Sequence, residues 1–181
     1  MRPNRDMLIG KSFKRRAGES DSAGGKSPGP RWRLAPLGGH GMRIAIKVPT
    51  RNDILQRAQD IPVSRDGEPW SKECLGRFAD MNGVYVHCSG KKILYVGKTT
   101  RGNYGTFGER LRRELQKKAS GDSSLYRLLS SQRKITTAFI PLPEVQKRTI
   151  AKGLSKEDLV ALFERALIAV FKPSANRGPA G

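Results

Sequence analysis

Two short triplets near the middle of the chain, Gly83-Val84-Tyr85 and Tyr95-Val96-Gly97, constrain the fold more than any other feature. Each triplet lies in a short stretch rich in β-branched and aromatic residues, which favour strands. Residues 89 to 91 separate the two stretches and read Ser-Gly-Lys, a composition typical of a tight turn. We therefore predict that residues 83 to 88 and 92 to 97 form two antiparallel strands joined as a hairpin.

Alternation along these strands predicts which side chains share a face. Tyr85 and His87 fall on one face of the first strand, because successive side chains point to opposite sides of a sheet. By the same rule, Ile93, Tyr95 and Gly97 share a face of the second strand. Each tyrosine is thereby assigned to a defined face of the hairpin.

Hydrophobic periodicity and capping signals outline the rest of the fold. Apolar residues that recur every four positions predict a helix over residues 106 to 118, with Phe107, Leu111 and Leu115 as its buried stripe. The other predicted elements are a strand at 43 to 48, a helix that begins at Thr50 with Asp53 three positions on, a helical segment at 70 to 80, a helix at 123 to 131, a strand at 135 to 142, and a last helix that begins at Ser155 with Asp158 and ends before Pro173. These elements predict a small α/β (α+β) domain, in which a three-stranded antiparallel sheet is flanked by helices.

Composition divides the chain of 181 residues into three parts. Residues 1 to 41 are rich in Gly, Ser, Pro and Arg and are predicted to be a disordered basic tail. Residues 42 to 80 are predicted to be a helical N-terminal extension, and residues 81 to 181 the main domain. Cys74 and Cys88 are too few for a disulfide scaffold and form no CxxC pair, so we interpret them as ordinary, partly buried thiols.

The charge of the chain points to a polyanionic partner. Lys and Arg number 35 against 16 Asp and Glu, which gives a net charge of +19. The excess is not confined to the tail, because residues 42 to 181 hold 26 basic and 13 acidic residues. Nucleic acid is the commonest partner of so basic a domain, and a ribosomal-type or solubility surface is the alternative. Without an apolar membrane stretch or signal region, we expect no membrane partner and a cytoplasmic or nucleoid-associated location.

One acidic residue, Glu164, lies in a mostly apolar helix. Between Asp158 and Lys172 the only charged residues are Glu164 and Arg165. A carboxylate in such surroundings needs a partner, because burying it unpaired costs several kcal/mol. The partner is expected to be a divalent metal or an arginine, and a purely structural ion pair is the alternative interpretation.

Other polar residues carry weak signals when each is taken alone. Tyr85 and Tyr95 are typical strand packing residues, and a tyrosine is a poor base unless nearby cations such as Lys98 and Arg110 lower its pKa. Arg110 alone fits a solvated helix residue or a partner of Glu114, one turn further on. Asn176 alone fits a turn.

In combination these residues resemble the GIY-YIG nuclease family. The order is Gly-Val-Tyr, then Tyr-Val-Gly-Lys, a helix with Arg-Leu, a late helix with Glu, and Asn twelve residues after it. The resemblance covers residues 81 to 178, just over half of the chain, and implies a β-β-α-β-α core. It further implies a stand-alone catalytic domain preceded by an N-terminal extension, since the sequence ends five residues after Asn176.

The resemblance assigns a role to each matched residue. Tyr85 would be the base or would position the attacking water, with Lys98 lowering its pKa or sharing the role. Tyr95 would hydrogen-bond near the phosphate, and Arg110 would stabilise phosphate charge in the transition state. Glu164 would hold one divalent cation, Mg²⁺ or alternatively Mn²⁺, that stabilises the leaving 3′-oxygen. Asn176 would brace the site by hydrogen bonds.

The chain also departs from the family pattern. Restriction enzymes of this family often carry a histidine four residues after the catalytic arginine, and here that position is Glu114. His87 is a candidate to approach the site, although a plain exposed strand histidine is the favoured interpretation. Tyr104, Arg113 and Lys117 are candidate DNA contacts.

The resulting hypothesis is a metal-dependent endonuclease that hydrolyses DNA phosphodiesters by a tyrosine-assisted water attack and leaves a 5′-phosphate and a 3′-hydroxyl. RNA remains an alternative substrate. A type II restriction endonuclease that acts as a homodimer is the alternative within the class. A non-catalytic DNA- or RNA-binding module with the same fold is the alternative from another class.

Overall fold

The computed structural model describes residues 44–64, 68–99, 105–121 and 123–176, which build a mixed α+β fold around an antiparallel sheet. The sheet has four strands in the order β2-β5-β3-β4. Their bounds are Gln59–Asp60 for β2, Gly83–Ser89 for β3, Lys92–Lys98 for β4 and Thr136–Pro141 for β5. The predicted basic tail, residues 1–41, lies outside the described residues.

The prediction of a three-stranded sheet is wrong in its strand count. The additional strand, β2, pairs antiparallel with β5 at the edge opposite β4. A second sheet joins β1, Ala45–Ile46, to β6, Thr149–Ile150. Of these, β1 lies within the strand predicted at 43 to 48. The unpredicted strands β2 and β6 are two residues long, and two residues cannot show the alternation by which a strand is recognised in a sequence.

Six α-helices and two 3₁₀ helices complete the described part of the chain. Their bounds are Arg51–Arg57 for α1, Lys72–Phe78 for the first 3₁₀ helix, Phe107–Leu115 for α2, Lys117–Ser120 for α3, Ser124–Ser130 for α4, Leu142–Arg148 for α5, Lys156–Phe171 for α6 and Ser174–Asn176 for the second 3₁₀ helix. None of the helices in the described ranges is long and apolar enough to cross a lipid bilayer.

Several helices differ in detail from their predicted bounds. The segment predicted at 70 to 80 is a 3₁₀ helix, kinked at Gly76 where φ is +51°. The helix predicted at 106 to 118 divides at Gln116, whose extended backbone bridges to Ser64. The predicted strand at 135 to 142 gives way to α5 at Leu142, where Pro143 occupies a helix-starting position.

The β3–β4 hairpin forms as predicted, but its register contains an irregularity. Tyr85 lies opposite Gly97 and His87 lies opposite Tyr95. The next residue, Cys88, pairs with Ile93, so Leu94 is left without a partner across the hairpin. Because one extra residue reverses the alternation, Ile93 lies in the core on the other face of the sheet from Tyr95 and Gly97. The prediction that all three share a face is therefore wrong for Ile93.

Each face of the sheet is covered by its own hydrophobic core. On one face, Val84, Val86 and Val96 pack against apolar residues of α1, α5 and α6. On the other face, Tyr85 packs against Phe107, Leu111 and Leu115 of α2, which are all fully buried as the four-residue spacing predicts. Residues 44–64 and 68–80 contribute to both cores, through Ile54 on the first face and residues such as Ile61 and Leu75 on the second. This arrangement places α2 and α6 on opposite sides of the edge strand β4.

Candidate functional site

The hydroxyl of Tyr85 is held in a buried network by two residues of α2. It donates to Oε1 of Glu114 at 2.6 Å and accepts from Nε of Arg110 at 3.1 Å. Arg110 Nε also lies 2.9 Å from Glu114 Oε1, so one N–H group is shared between the phenol and the carboxylate. Tyr85 has no exposed surface and the Glu114 side chain is 6% exposed. The ion pair and the phenol therefore interact in a medium of low polarity, where hydrogen bonds are strong.

Behind this network lies His87, which is also fully buried. Its Nε2 is 3.2 Å from Oε2 of Glu114, and its Nδ1 is 2.8 Å from the hydroxyl of Thr137 on β5. In the tautomer that carries the proton on Nε2, Nε2–H donates to the carboxylate and Nδ1 accepts from the Thr137 hydroxyl. The favoured interpretation of His87 as an exposed strand residue is wrong, because α2 covers this face of the hairpin.

Local sequence explains why Arg110 and Glu114 reach this position. A capping box formed by Thr106 and Glu109 fixes the start of α2. Arg110 and Glu114 are four residues apart and so lie on neighbouring turns of the same helix face. Glu114 follows Leu111 by three positions and immediately precedes Leu115, so its side chain is buried together with the apolar stripe.

Gly97 makes room for the Tyr85 hydroxyl on the facing strand. A Cβ atom at position 97 would lie 2.3 Å from the Tyr85 hydroxyl oxygen and 2.7 Å from Cε1 of Tyr95. Only a residue without a side chain allows both tyrosines to approach the backbone of β4 this closely.

Burial and Glu114 both raise the pKa of Tyr85 well above its ordinary value, and the opposing effect of Arg110 is smaller. Arg110 lowers the pKa of Tyr85 as expected, but burial and Glu114 outweigh it, so the expectation of a lowered pKa is wrong. The neutral phenol is the stable form, because a phenolate here would be desolvated and would face the carboxylate of Glu114. In this arrangement the Tyr85 hydroxyl donates a hydrogen bond to Glu114.

Tyr95 lies between the buried network and the second group of predicted residues. Its ring centroid is 6.2 Å from that of Tyr85 and 6.1 Å from that of His87, and its side chain is only partly buried. Burial and Glu114 raise the pKa of its phenol, whereas Arg110, which also forms a hydrogen bond with it, lowers the pKa. The carboxylate of Glu164, on α6, also raises the pKa of this phenol.

Glu164, on α6, is paired with Lys98 at the end of β4. The Lys98 ammonium lies 2.5 Å from Glu164 Oε2, and the two side chains are 30% and 14% exposed. The sequence predicts a metal or an arginine as the partner of Glu164, whereas in the structure its partner is Lys98. Lys98 lies opposite Val84 and so belongs to the α6 face of the hairpin, while Tyr85 and Tyr95 belong to the α2 face.

Asn176, in the second 3₁₀ helix, binds the outer edge of β4. Its Nδ2 donates to the carbonyl of Val96 and its Oδ1 accepts from the Val96 N–H, both at 2.8 Å. The six predicted catalytic residues, namely Tyr85, Tyr95, Lys98, Arg110, Glu164 and Asn176, thus surround the edge strand β4 from both faces and from its open side.

The described residues offer a single carboxylate to a metal ion at this place. Nowhere in the described ranges do three His, Cys, Asp or Glu side chains gather closely enough to hold a metal ion together. Glu164, partly exposed, nevertheless fits Mg²⁺, which keeps most of its waters and often takes only one or two carboxylates. Lys98 competes for the same carboxylate oxygen.

Of the candidate DNA contacts, Arg113 and Lys117 lie on the exposed surface of α2 and α3. Tyr104 lies outside the described residues. Arg113 lies one turn after Arg110 on α2 and Lys117 begins α3, and these two exposed side chains are called the basic surface below.

The alternative that pairs Arg110 with Glu114 is confirmed by their ion pair, but sequence reasoning included neither Glu114 nor His87 among the site residues. The available signal was the position of Glu114 within the apolar stripe of α2, four residues after an arginine. The resemblance to GIY-YIG nucleases rests on the motif residues and their order in the sequence. Compared with protein-family models, curated proteins and solved structures, the chain matches none.

Proposed function

We propose that the chain is a metal-dependent endonuclease of the GIY-YIG type that hydrolyses phosphodiester bonds of DNA. One observation carries the proposal. Glu164 pairs with Lys98, 66 positions away in the chain, and Asn176 pairs with Val96, 80 positions away, and both pairs form at the same edge strand. These are the residues that the motif order singles out, and a chance resemblance would not require them to meet.

The exposed part of the site supplies charges suited to a phosphodiester. Arg110 is 30% exposed and stays cationic, because Tyr85 and Glu114 raise its pKa despite burial. It stabilises the charge that develops on the phosphate oxygens. Tyr95, partly exposed beside Arg110, donates a hydrogen bond to the phosphate.

Lys98, which is 30% exposed, is the residue that orients the attacking water. Tyr85 has no exposed surface, so we assign it a supporting role instead of direct contact with water. Glu164 is the residue that would hold a divalent cation, which when bound supplies positive charge for the leaving 3′-oxygen. Asn176 keeps β4 in place by holding both backbone groups of Val96.

The Lys98–Glu164 ion pair favours a second candidate, a non-catalytic nucleic-acid-binding module. The ion pair satisfies Glu164 without any metal. A net charge of +19 would serve nucleic-acid binding in either case, so binding alone does not distinguish the candidates.

A plasmid-nicking assay with Mg²⁺ distinguishes them. Wild type is expected to nick supercoiled DNA, and Glu164→Ala to lose nicking while it retains DNA affinity. Glu157→Ala, an exposed carboxylate in the first turn of the same helix, is the matched control and should nick as wild type does.

Two results would contradict the proposal at different points. Equal nicking by wild type and Glu164→Ala would remove the metal-ligand assignment. Absence of cleavage by wild type with Mg²⁺ or Mn²⁺ on DNA and RNA substrates, together with retained binding, would establish the binding module instead.

A further inference from the structure

The buried carboxylate of Glu114 has no part in the matched motif, yet it lies at the centre of the buried network. Three donors reach it: the Tyr85 hydroxyl and Arg110 Nε on one oxygen, and His87 Nε2 on the other. A buried carboxylate so well satisfied holds its donors in fixed positions, because moving any of them would leave a charge unpaired.

Tyr85 and Glu114 contact Arg110 through its Nε. Tyr85 and Glu114 both engage this nitrogen, at 3.1 and 2.9 Å, from the buried side. A guanidinium carries further N–H donors on its terminal nitrogens, and its planar shape fixes their direction once Nε is held. The exposed remainder of the side chain is therefore presented outward, next to Tyr95.

We propose that Glu114 is a positioning residue that fixes Arg110 through Nε, with Tyr85 as its neutral hydrogen-bonding partner, so that the terminal guanidinium nitrogens face a phosphate. This inference rests on the proposed nuclease function. Glu114, His87 and Thr137 then form a hydrogen-bonded chain behind Arg110, and Tyr85 supports Arg110.

The same geometry explains why the phenol is kept neutral. The Tyr85 hydroxyl donates one hydrogen bond to Glu114 and accepts one from the Arg110 N–H. Burial and Glu114 raise the pKa of this phenol, which keeps the donor in place at neutral pH. A phenolate could not donate to Glu114 and would repel it.

The test combines a structural readout with kinetics on the full chain. The Hε–Nε signal of Arg110 is observed by ¹H–¹⁵N NMR and assigned by its loss in Arg110→Lys. In wild type we expect slow exchange with water, and in Glu114→Gln and Tyr85→Phe a shifted signal that exchanges faster. Nicking by both variants should show kcat reduced by roughly 10- to 100-fold, as misplacement of a charge-stabilising group produces, with KM changed by less than about threefold.

Glu114→Ala provides a graded comparison, and circular dichroism reports whether each variant is folded. Glu114→Gln should retain more activity than Glu114→Ala, because the amide oxygen still accepts from Arg110. If Glu114→Ala does not fold, Glu114→Gln and Tyr85→Phe decide, since each changes the chemistry of one side chain and nearly preserves its volume.

The outcomes separate this inference from the proposed function. If wild type nicks and both conservative variants leave the Arg110 signal and kcat unchanged, the positioning role of Glu114 is overturned and the nuclease stands. If wild type does not nick while the Arg110 signal responds as expected, the nuclease is overturned and the hold of Glu114 on Arg110 is supported.

Discussion

Asn176 pairs with Val96 as a neighbouring strand would. Its side-chain amide donates to the carbonyl and accepts from the N–H of this one residue, both at 2.8 Å. Val96 belongs to β4, the edge strand of the sheet, so no strand among the described residues pairs with these backbone groups on that side. A side chain that occupies an open edge both satisfies the backbone and blocks pairing with another chain.

The first prediction follows from this pairing. Asn176→Ala should lower the free energy of unfolding by about 1–2 kcal/mol, the net value of two ordinary hydrogen bonds. Asn176→Asp should cost at least as much at pH 7, because an ionised carboxylate cannot donate to the Val96 carbonyl. Urea unfolding measures both, with Ser174→Ala, an exposed change in the same 3₁₀ helix, as the control. Wild-type stability in Asn176→Asp would contradict the pairing.

The second prediction concerns Gly97. Gly97→Ala should destabilise the fold by roughly 1–3 kcal/mol, as overpacking of a tight core does, because the new methyl group would overlap the Tyr85 hydroxyl. The same displacement should disturb Arg110 and reduce nicking. Gly90→Asn is the control, since position 90 lies in the hairpin turn with φ of +55° and open space around it, a conformation that asparagine tolerates. Equal unfolding midpoints for the two variants would show that Tyr85 moves aside freely.

The third prediction is a pH dependence of stability that depends on Tyr85. The pKa of this phenol is raised in the folded state, so folding favours the protonated form. The corresponding stability is fully present below the ordinary tyrosine pKa of about 10 and is lost as the pH rises above it. Between pH 9 and pH 11 the free energy of unfolding should therefore fall more steeply for wild type than for Tyr85→Phe.

Other groups also titrate in this range, and the difference between the two proteins isolates Tyr85. Burial raises the pKa of Cys88 to about 11 and also raises that of Tyr95, and both groups are present in wild type and variant. Parallel curves for the two proteins would mean that the Tyr85 phenol ionises as it does in the unfolded chain.

Sequence reasoning predicted the parts of the fold that repeat a pattern over several turns or residues. The β3–β4 hairpin and α6 have such patterns, and both begin within one residue of their predicted positions. By contrast, β2 and β6 are created by their neighbours, because two residues gain strand geometry only from the strand beside them.

The candidate site shows the same division. Alternation correctly placed Tyr95 and Gly97 on one face, but the unpaired Leu94 reverses the alternation and assigns Ile93 to the other core. The contact between Glu114 and Tyr85 joins a helix to a strand 29 positions away. Such a contact depends on how α2 packs across the sheet, which a single sequence does not specify.

The fourth prediction uses the competition between Lys98 and a metal for Glu164. Lys98→Met should bind Mn²⁺ about two- to fivefold more tightly than wild type, because no ammonium has to be displaced and a partly exposed ion pair is worth up to about 1 kcal/mol. Nicking should nevertheless decrease, since a group that orients water is lost. Isothermal titration calorimetry measures the affinity, and Lys156→Met, an exposed change at the start of α6, is the control. Weaker Mn²⁺ binding by Lys98→Met would show that Lys98 does not compete.

The fifth prediction concerns the basic surface formed by Arg113 and Lys117. If each contacts a DNA phosphate, then Arg113→Gln and Lys117→Gln should each reduce the slope of log K against log salt by about 0.9, the release of one counterion. Fluorescence anisotropy with a duplex at several salt concentrations measures the slope. Lys156→Gln is a charge-matched control on α6, which packs on the other face of the sheet from α2. The control should lower the net charge by the same amount without changing the slope. The slope depends on the number of phosphate contacts, and the loss of long-range attraction is the same in all three variants. Equal slopes in all three variants would place the DNA elsewhere on the molecule.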